Sequence, residues 1–274
     1  MQTNYSGTYK LDMGTNKWNY MGRLNVPRDC GACVVGKGEA GQTRIFCIGG
    51  YTGPKSAGLC VIEHIDLNDC TGWVVNKAAL PMGLHDLAAA MMYDNKILIC
   101  GGNSRLGATA RCFEFDSRLD ELTYAPPMNT PRMEHAAVRY GNRIVVIGGN
   151  ANDETGLTTV ETCEQLDLDT KLWTAFPSVK HSGRTFAAVE NDRIYTATYP
   201  CGKYAMFDGT AWISVRSPTS KAAVYPFIYD GRFAVIANNT LPAEMYDEDE
   251  KKWIKVPDLN GPTNSGPMPT FVPF

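Results

Sequence analysis

Arg44-Ile45-Phe46-Cys47-Ile48-Gly49-Gly50, Lys96-Ile97-Leu98-Ile99-Cys100-Gly101-Gly102 and Arg143-Ile144-Val145-Val146-Ile147-Gly148-Gly149 are three copies of one pattern. Each is a basic residue, four apolar residues and a glycine doublet. Two weaker copies, Arg193-Ile194-Tyr195-Thr196-Ala197 and Arg232-Phe233-Ala234-Val235-Ile236, lack the doublet. The five copies start at positions 44, 96, 143, 193 and 232, so the period is close to 50.

A second pattern runs in phase with the first: an apolar residue and an aspartate, then a tryptophan four to seven positions later. It reads Leu11-Asp12 to Trp18, Ile65-Asp66 to Trp73, Leu166-Asp167 to Trp173, Phe207-Asp208 to Trp212 and Tyr246-Asp247 to Trp253. A sixth copy, Phe115-Asp116, has Leu122 in place of the tryptophan. Self-similarity at this period, with room for four short strands per unit, predicts an all-β propeller. Small-residue runs such as Ala88-Ala89-Ala90 and Ala136-Ala137-Val138 suit the crowded innermost strand. Dipeptides suited to hairpin turns, Asp94-Asn95, Gly141-Asn142, Asn191-Asp192 and Asp230-Gly231, separate that strand from the next.

Six aspartate halves against five basic halves predict a six-bladed propeller closed by a blade shared between the two ends of the chain. The single domain covers residues 1–274. Residues 1–24 with 263–274 form the shared blade, and the full blades run over about 27–80, 81–128, 130–178, 182–216 and 220–257. The segment 265–274 is expected to supply the inner strand that closes the ring.

The 274 residues carry 26 Lys and Arg against 29 Asp and Glu, for a formal charge of −3. That balance argues against a nucleic-acid partner bound through a domain-wide basic field. No apolar run approaches the length that spans a bilayer, so no membrane role is expected. Residues 1–6 lack the features of a secretory signal, and the nine cysteines are odd in number and embedded in apolar runs. Reduced thiols and a cytoplasmic or nuclear location are the expectation.

Taken together, the repeats resemble those of a kelch-repeat β-propeller over essentially the whole chain. Within that superfamily, Asn25-Val26-Pro27-Arg28-Asp29 with Ile48-Gly49-Gly50-Tyr51, echoed by Met128 to His135, is similar to the kelch domains of BTB-kelch adaptor proteins. The resemblance implies a non-catalytic module that binds a peptide or protein loop, with substrate recognition for a cullin-type ubiquitin ligase as its specific role. Cytoskeletal, actin-associated kelch proteins are one alternative. Kelch-type enzymes, such as copper oxidases or a sugar epimerase, are another.

No cofactor or metal is expected. Gly36-Lys37-Gly38-Glu39-Ala40-Gly41 matches a dinucleotide fingerprint in letters but precedes another strand, so it reads as a hairpin loop. Cys30-Gly31-Ala32-Cys33 is a solitary CxxC and reads as a pair of buried thiols, and the four histidines share no ligand spacing. Recognition residues are sought in the loops around the channel mouth, where a rigid scaffold presents them. These are Arg28, Asp29, Tyr51, Lys55, His85, Asp86, Asn103, Arg105, Arg132, Glu134, Asn150, Asp153, Arg184, Tyr199 and Asn238. Because Arg28, Arg132 and Arg184 suit bidentate pairing with carboxylates, the ligand is expected to include an acidic protein or peptide. The isolated domain is expected to be a monomer.

Overall fold

The computed structural model describes residues 7–12, 14–15, 17–53, 57–68, 72–93, 95–153, 156–180, 183–199, 202–219, 224–237 and 242–260. Every regular element among them is a strand. Strands β1 (Gly7–Asp12) and β2 (Lys17–Arg23) form a two-stranded antiparallel sheet. Strands β3 (Ala32–Lys37), β4 (Thr43–Ile48), β5 (Leu59–Asp66) and β6 (Val74–Leu84) make the first four-stranded meander. The second contains β7 (Ala88–Tyr93), β8 (Lys96–Cys100), β11 (Cys112–Asp116) and β12 (Glu121–Ala125). Between its middle strands stands a small hairpin, β9 (Asn103–Ser104) and β10 (Gly107–Ala108).

The third sheet repeats this plan with β13 (Ala136–Tyr140), β14 (Arg143–Ile147), β17 (Cys163–Asp167) and β18 (Trp173–Phe176), and with the inserted hairpin β15 (Asn150–Asp153) and β16 (Gly156–Thr159). The fourth is β19 (Arg184–Glu190), β20 (Arg193–Tyr199), β21 (Tyr204–Phe207) and β22 (Trp212–Val215). The fifth is β23 (Val224–Tyr229), β24 (Arg232–Ala237), β25 (Pro242–Asp247) and β26 (Lys252–Asn260).

Neighbouring units share apolar cores, and the seams run in a circle. Phe46 and Ile62 of the first sheet pack with Ile97 and Phe115 of the second. Cys100 and Met128 meet Ile144 and Leu166 across the next seam, and Ile147 and Phe176 meet Ile194 and Phe207 across the one after. Tyr195 and Tyr204 pack with Phe233 and Tyr246. The circle then passes through the two-stranded sheet: Leu11 and Trp18 lie against Phe227 and Ile236, while Met21 lies against Cys47, Ile65 and Trp73. Five units are thus four-stranded, and β1–β2 stands between the fifth and the first. The expected closing strand at 265–274 lies outside the described residues.

The two sequence patterns have separate physical jobs. β4, β8, β14 and β20 are apolar because both faces are covered, and Ile48, Ile97, Ile144 and Ile194 are fully buried. The hairpin turns before β14, β20 and β24 take positive φ at Gly141, at Asn191 and Asp192, and at Asp230 and Gly231. Five of the six aspartates of the second pattern close a local turn, and the sixth, Asp66, accepts from the Arg44 guanidinium instead. Asp12, Asp116, Asp167, Asp208 and Asp247 each accept bonds from the backbone N–H groups two and three residues on. The N–H groups of Ala211 and Thr210 hold the Asp208 carboxyl at about 2. The tryptophans tie units together: the indole N–H donates to Pro126 O from Trp173, to Pro177 O from Trp212 and to Arg216 O from Trp253. Each acceptor lies in the connection that leaves the preceding sheet.

Candidate functional site at the channel mouth

The inner strands β3, β7, β13, β19 and β23 lie side by side, and one end of that cluster is rimmed by the segments entering them. Before β3, β7 and β13 the chain adopts left-handed backbone at Cys30 (φ 54°), Asp86 (φ 53°) and Glu134 (φ 57°). Just upstream, antiparallel bridges pair Asp29 with Tyr51, His85 with Asn103 and Met133 with Asn150. The glycine doublets make these bridges possible. A Cβ on Gly50 would lie 2.6 Å from Asp29 O, and one on Gly149 would lie 2.5 Å from Met133 O. Backbone bonds then run from unit to unit around the rim: Asp86 N–H to Cys30 O (2.7 Å), Glu134 N–H to Asp86 O (2.8 Å) and Thr185 N–H to Glu134 O (2.8 Å).

Side chains from four units converge inside this rim. The Arg184 guanidinium donates to Asp86 Oδ1 at 2.5 Å, Glu134 Oε1 at 2.7 Å and Cys30 Sγ at 3.5 Å. Asp86 Oδ2 also bonds His85 Nδ1 at 2.7 Å, and Glu134 Oε2 accepts from Asn150 Nδ2 at 2.6 Å. The Tyr51 ring rests on His85 with centroids 5.1 Å apart. Burial acts against the Arg184 charge, but Cys30, Asp86 and Glu134 more than offset it and raise its pKa. Burial, assisted by Asp86, pushes the Cys30 thiol up to about 11, so it stays protonated at neutral pH. Burial also raises the Asp29 carboxyl. Arg184 answers two carboxylates, and Asp29 adds a third acidic group, so the floor of the mouth is acidic.

Above this floor stand the two inserted hairpins. Leu106, at the tip between β9 and β10, is 96% exposed, and Leu157 on β16 is 63% exposed. A Cβ on Gly107 would lie 3.6 Å from the Asn152 side chain, so the hairpins are neighbours. Arg105 is exposed beside Leu106, and Tyr199 is exposed at the end of β20.

The predicted site residues therefore divide. Asp29, Tyr51, His85, Asp86, Asn103, Glu134, Asn150 and Arg184 meet at the rim, with Arg105 and Tyr199 beyond it. Asp153 belongs to β15, and Lys55 and Asn238 lie outside the described residues. Arg28 and Arg132 correct the expectation. They are buried, Arg132 completely, and therefore cannot hold a ligand carboxylate. Arg132 donates to Glu164 Oε1 (2.7 Å), Gly148 O (3.0 Å) and Thr162 O (2.8 Å), while Arg28 donates to Glu63, Gly49 O and Val61 O. The opposite carboxylates accept from backbone N–H groups, Glu63 from Asn25 and Val26, and Glu164 from Asn129 and Thr130. These are brackets that fasten the connection between units, and they remove the basis for an acidic ligand.

The cysteines require two further corrections. Cys30 is half-buried among the rim groups, and Cys33 is half-buried as well. Cys100 and Cys112, expected as thiols, form a disulfide. Among the described residues no group of three or more His, Cys, Asp or Glu side chains is placed to hold a metal ion. Of the glycine-rich 36–41 stretch, Gly36 and Lys37 end β3, and residues 38–41 are the hairpin loop closed by Gly38 N–H to Gln42 O.

Sequence reasoning missed Glu63, Glu164 and the half-buried Cys30. A signal for the glutamates was present, because Glu63-x-x-Asp66, Glu164-x-x-Asp167 and Glu244-x-x-Asp247 share one spacing. Glu244 likewise accepts from the Thr219 N–H.

The circular meander with recognition-type loops on one face defines a β-propeller of the kelch type. Comparison with known proteins agrees. Residues 131–180 match the Kelch motif family model, which together with the kelch-like relatives supports a kelch-repeat domain. Kelch-like protein 25 of Xenopus tropicalis is 28% identical over 173 residues, covering 63% of this chain and 27% of the relative. Kelch-like protein 41a of Danio rerio is 26% identical over 247 residues, covering 89% of this chain and 35% of the relative. The chain thus spans about a third or less of the length of these curated relatives. The solved structure of YjhT superposes with a TM-score of 0.71 at 15% identity, covering 91% of this chain and 90% of that one, a likeness of fold alone.

Proposed function

We propose that this domain is a non-catalytic protein-interaction module that seats a loop or peptide of another protein on the channel-mouth face. The observation that carries this reading is the pairing of two exposed leucines, Leu106 and Leu157, on neighbouring hairpins beside a preorganised polar floor. Apolar anchors beside rigid hydrogen-bonding groups are the anatomy of a recognition surface. The ligand chemistry that suits the floor is a basic or amide side chain, since Asp86 and Glu134 share the one Arg184 guanidinium and Asp29 adds a further carboxylate at the rim, among the described residues. Within this reading, recognition of substrates for a cullin-type ubiquitin ligase is the specific role, supported by resemblance to BTB-kelch adaptors.

The test is quantitative affinity capture from native lysate with wild type and a Leu106→Asp/Leu157→Asp double variant. Both side chains are exposed, so the fold should change by no more than about 0.5 kcal/mol per site. Specifically captured proteins should fall at least about tenfold, as for loss of interface anchors. Equal yields from the two forms would overturn the proposal. Recovery of a cullin with the full natural protein tests the ligase role, and its absence rejects that role alone.

A further inference from the structure

Two cysteine pairs occupy the same kind of place in neighbouring sheets. Cys33 of β3 is the direct partner of Cys47 of β4, and Cys100 of β8 is the direct partner of Cys112 of β11. The ladder of β3 and β4 continues into the Gly38 N–H to Gln42 O bond. Counting back by the alternation of antiparallel ladders, Cys33 and Cys47 fall at a non-hydrogen-bonded position. The Gly101 N–H to Arg111 O bond fixes the same phase for Cys100 and Cys112. Those positions bring opposed Cα atoms to roughly 4.5 Å, within reach of a disulfide. Cys100 and Cys112 are bridged, with Cα atoms 4.2 Å apart, whereas the Cys33 and Cys47 sulfurs are in direct contact at 2.6 Å.

Both pairs sit where the sheets meet the mouth. Cys33 and Cys47 join strands whose mouth ends carry Asp29 and Cys30 on one side and Gly49, Gly50 and Tyr51 on the other. Cys100 and Cys112 close the base of the loop that lifts Leu106. Cys33 and Cys47 also face the seam with β1–β2, beside Met21 and Trp73.

We propose that Cys33 and Cys47 are a redox-responsive pair that forms a second cross-strand disulfide, and that the two bridges together clamp the bases of the mouth loops. The oxidant is a small-molecule disulfide of the glutathione class. The half-buried Cys33 reacts first: its thiolate attacks one sulfur of the oxidant, forms a mixed disulfide and expels one thiolate. The Cys47 thiolate then attacks the Cys33 sulfur and expels the second. The protein loses two electrons and two protons, and one oxidised disulfide becomes two thiols.

The test starts from the full chain equilibrated with excess oxidised glutathione, blocked with N-ethylmaleimide under denaturing conditions and mapped by mass spectrometry. A Cys33–Cys47 linked peptide is expected alongside Cys100–Cys112, both lost on phosphine reduction. Maleimide on both Cys33 and Cys47, or a Cys30–Cys33 link, overturns the pairing. In Cys47→Ala the exchange must stop halfway, with glutathione on Cys33, and maleimide on Cys33 would reject its role as the entry thiol. Amide exchange of residues 49–53 and 101–111 should be at least about threefold slower in the oxidised chain than in the reduced one. Equal rates would overturn the clamp.

Discussion

The second and third sheets solve one structural problem in two chemistries. Where the chain enters the third sheet, Arg132 is buried against Glu164 and against the carbonyls of Gly148 and Thr162. At the corresponding places of the second sheet stand Leu84 and Phe113, fully or almost fully buried in an apolar core. The first sheet follows the ionic plan with Arg28 and Glu63. Both partners change together, from ion pair to apolar pair, and the fold of the unit is unchanged. The bracket is thus a filled space whose occupants must match each other; its charge is no sign of ligand binding.

The largest expected effect comes from breaking that match. Arg132→Ala leaves a buried carboxylate without its cation and should cost about 3–5 kcal/mol in denaturant unfolding. Arg132→Leu/Glu164→Phe, which writes the second sheet's solution into the third, should lose less than either single change. A double variant as unstable as the sum of the singles would show that the two solutions are not interchangeable.

Next comes the glycine beside that bracket. Gly149→Val puts a β-branched side chain at φ 93° and against Met133 O, and the backbone conformation alone should cost about 1–3 kcal/mol. Thermal melting measures it; an unchanged midpoint would mean that the rim relaxes freely.

A pH effect follows in size. Leu87 of the second sheet corresponds to His135 of the third, which is buried beside Arg132 with both ring nitrogens unpaired. Burial, and secondarily the Arg132 charge, lower the His135 pKa from 6.5 to about 3. The unfolded chain therefore binds this proton first as pH falls. Stability contributed by the neutral ring is intact above pH 6.5 and is lost from there down towards about 3, by up to about 1.4 kcal/mol per pH unit. His135→Leu should flatten that slope. A slope equal to wild type would assign it to other groups.

Smallest for the fold is Arg184→Ala, at about 1 kcal/mol, because the side chain stays 20% exposed and water can take over part of its work. Its larger consequence should appear in partner capture, in contrast to Arg132.

The contrast also explains what was legible in the sequence. Periodic features were readable because each copy does the same job locally: the Ile144 to Ile147 run is covered on both faces, and Asp167 closes its own turn. The rim was readable in outline because Asp86 and Glu134 keep a fixed distance from their alanine-rich strands. The role of Arg132 was hidden because its partner lies 32 residues away, across a strand pairing whose register must be known first. The cysteine pairs needed the same knowledge, since only the phase of the ladder separates a bridge from two neighbouring thiols.

The bonds that run around the mouth from Cys30 to Asp86, Glu134 and Thr185 are made wholly by main-chain groups. The spacing of the rim is consequently independent of the letters written on it. A cysteine, an aspartate and a glutamate already occupy equivalent places, each at a similar left-handed angle. Such a frame lets a lineage rewrite what the mouth reads, one side chain at a time, without resetting the ring that holds the text.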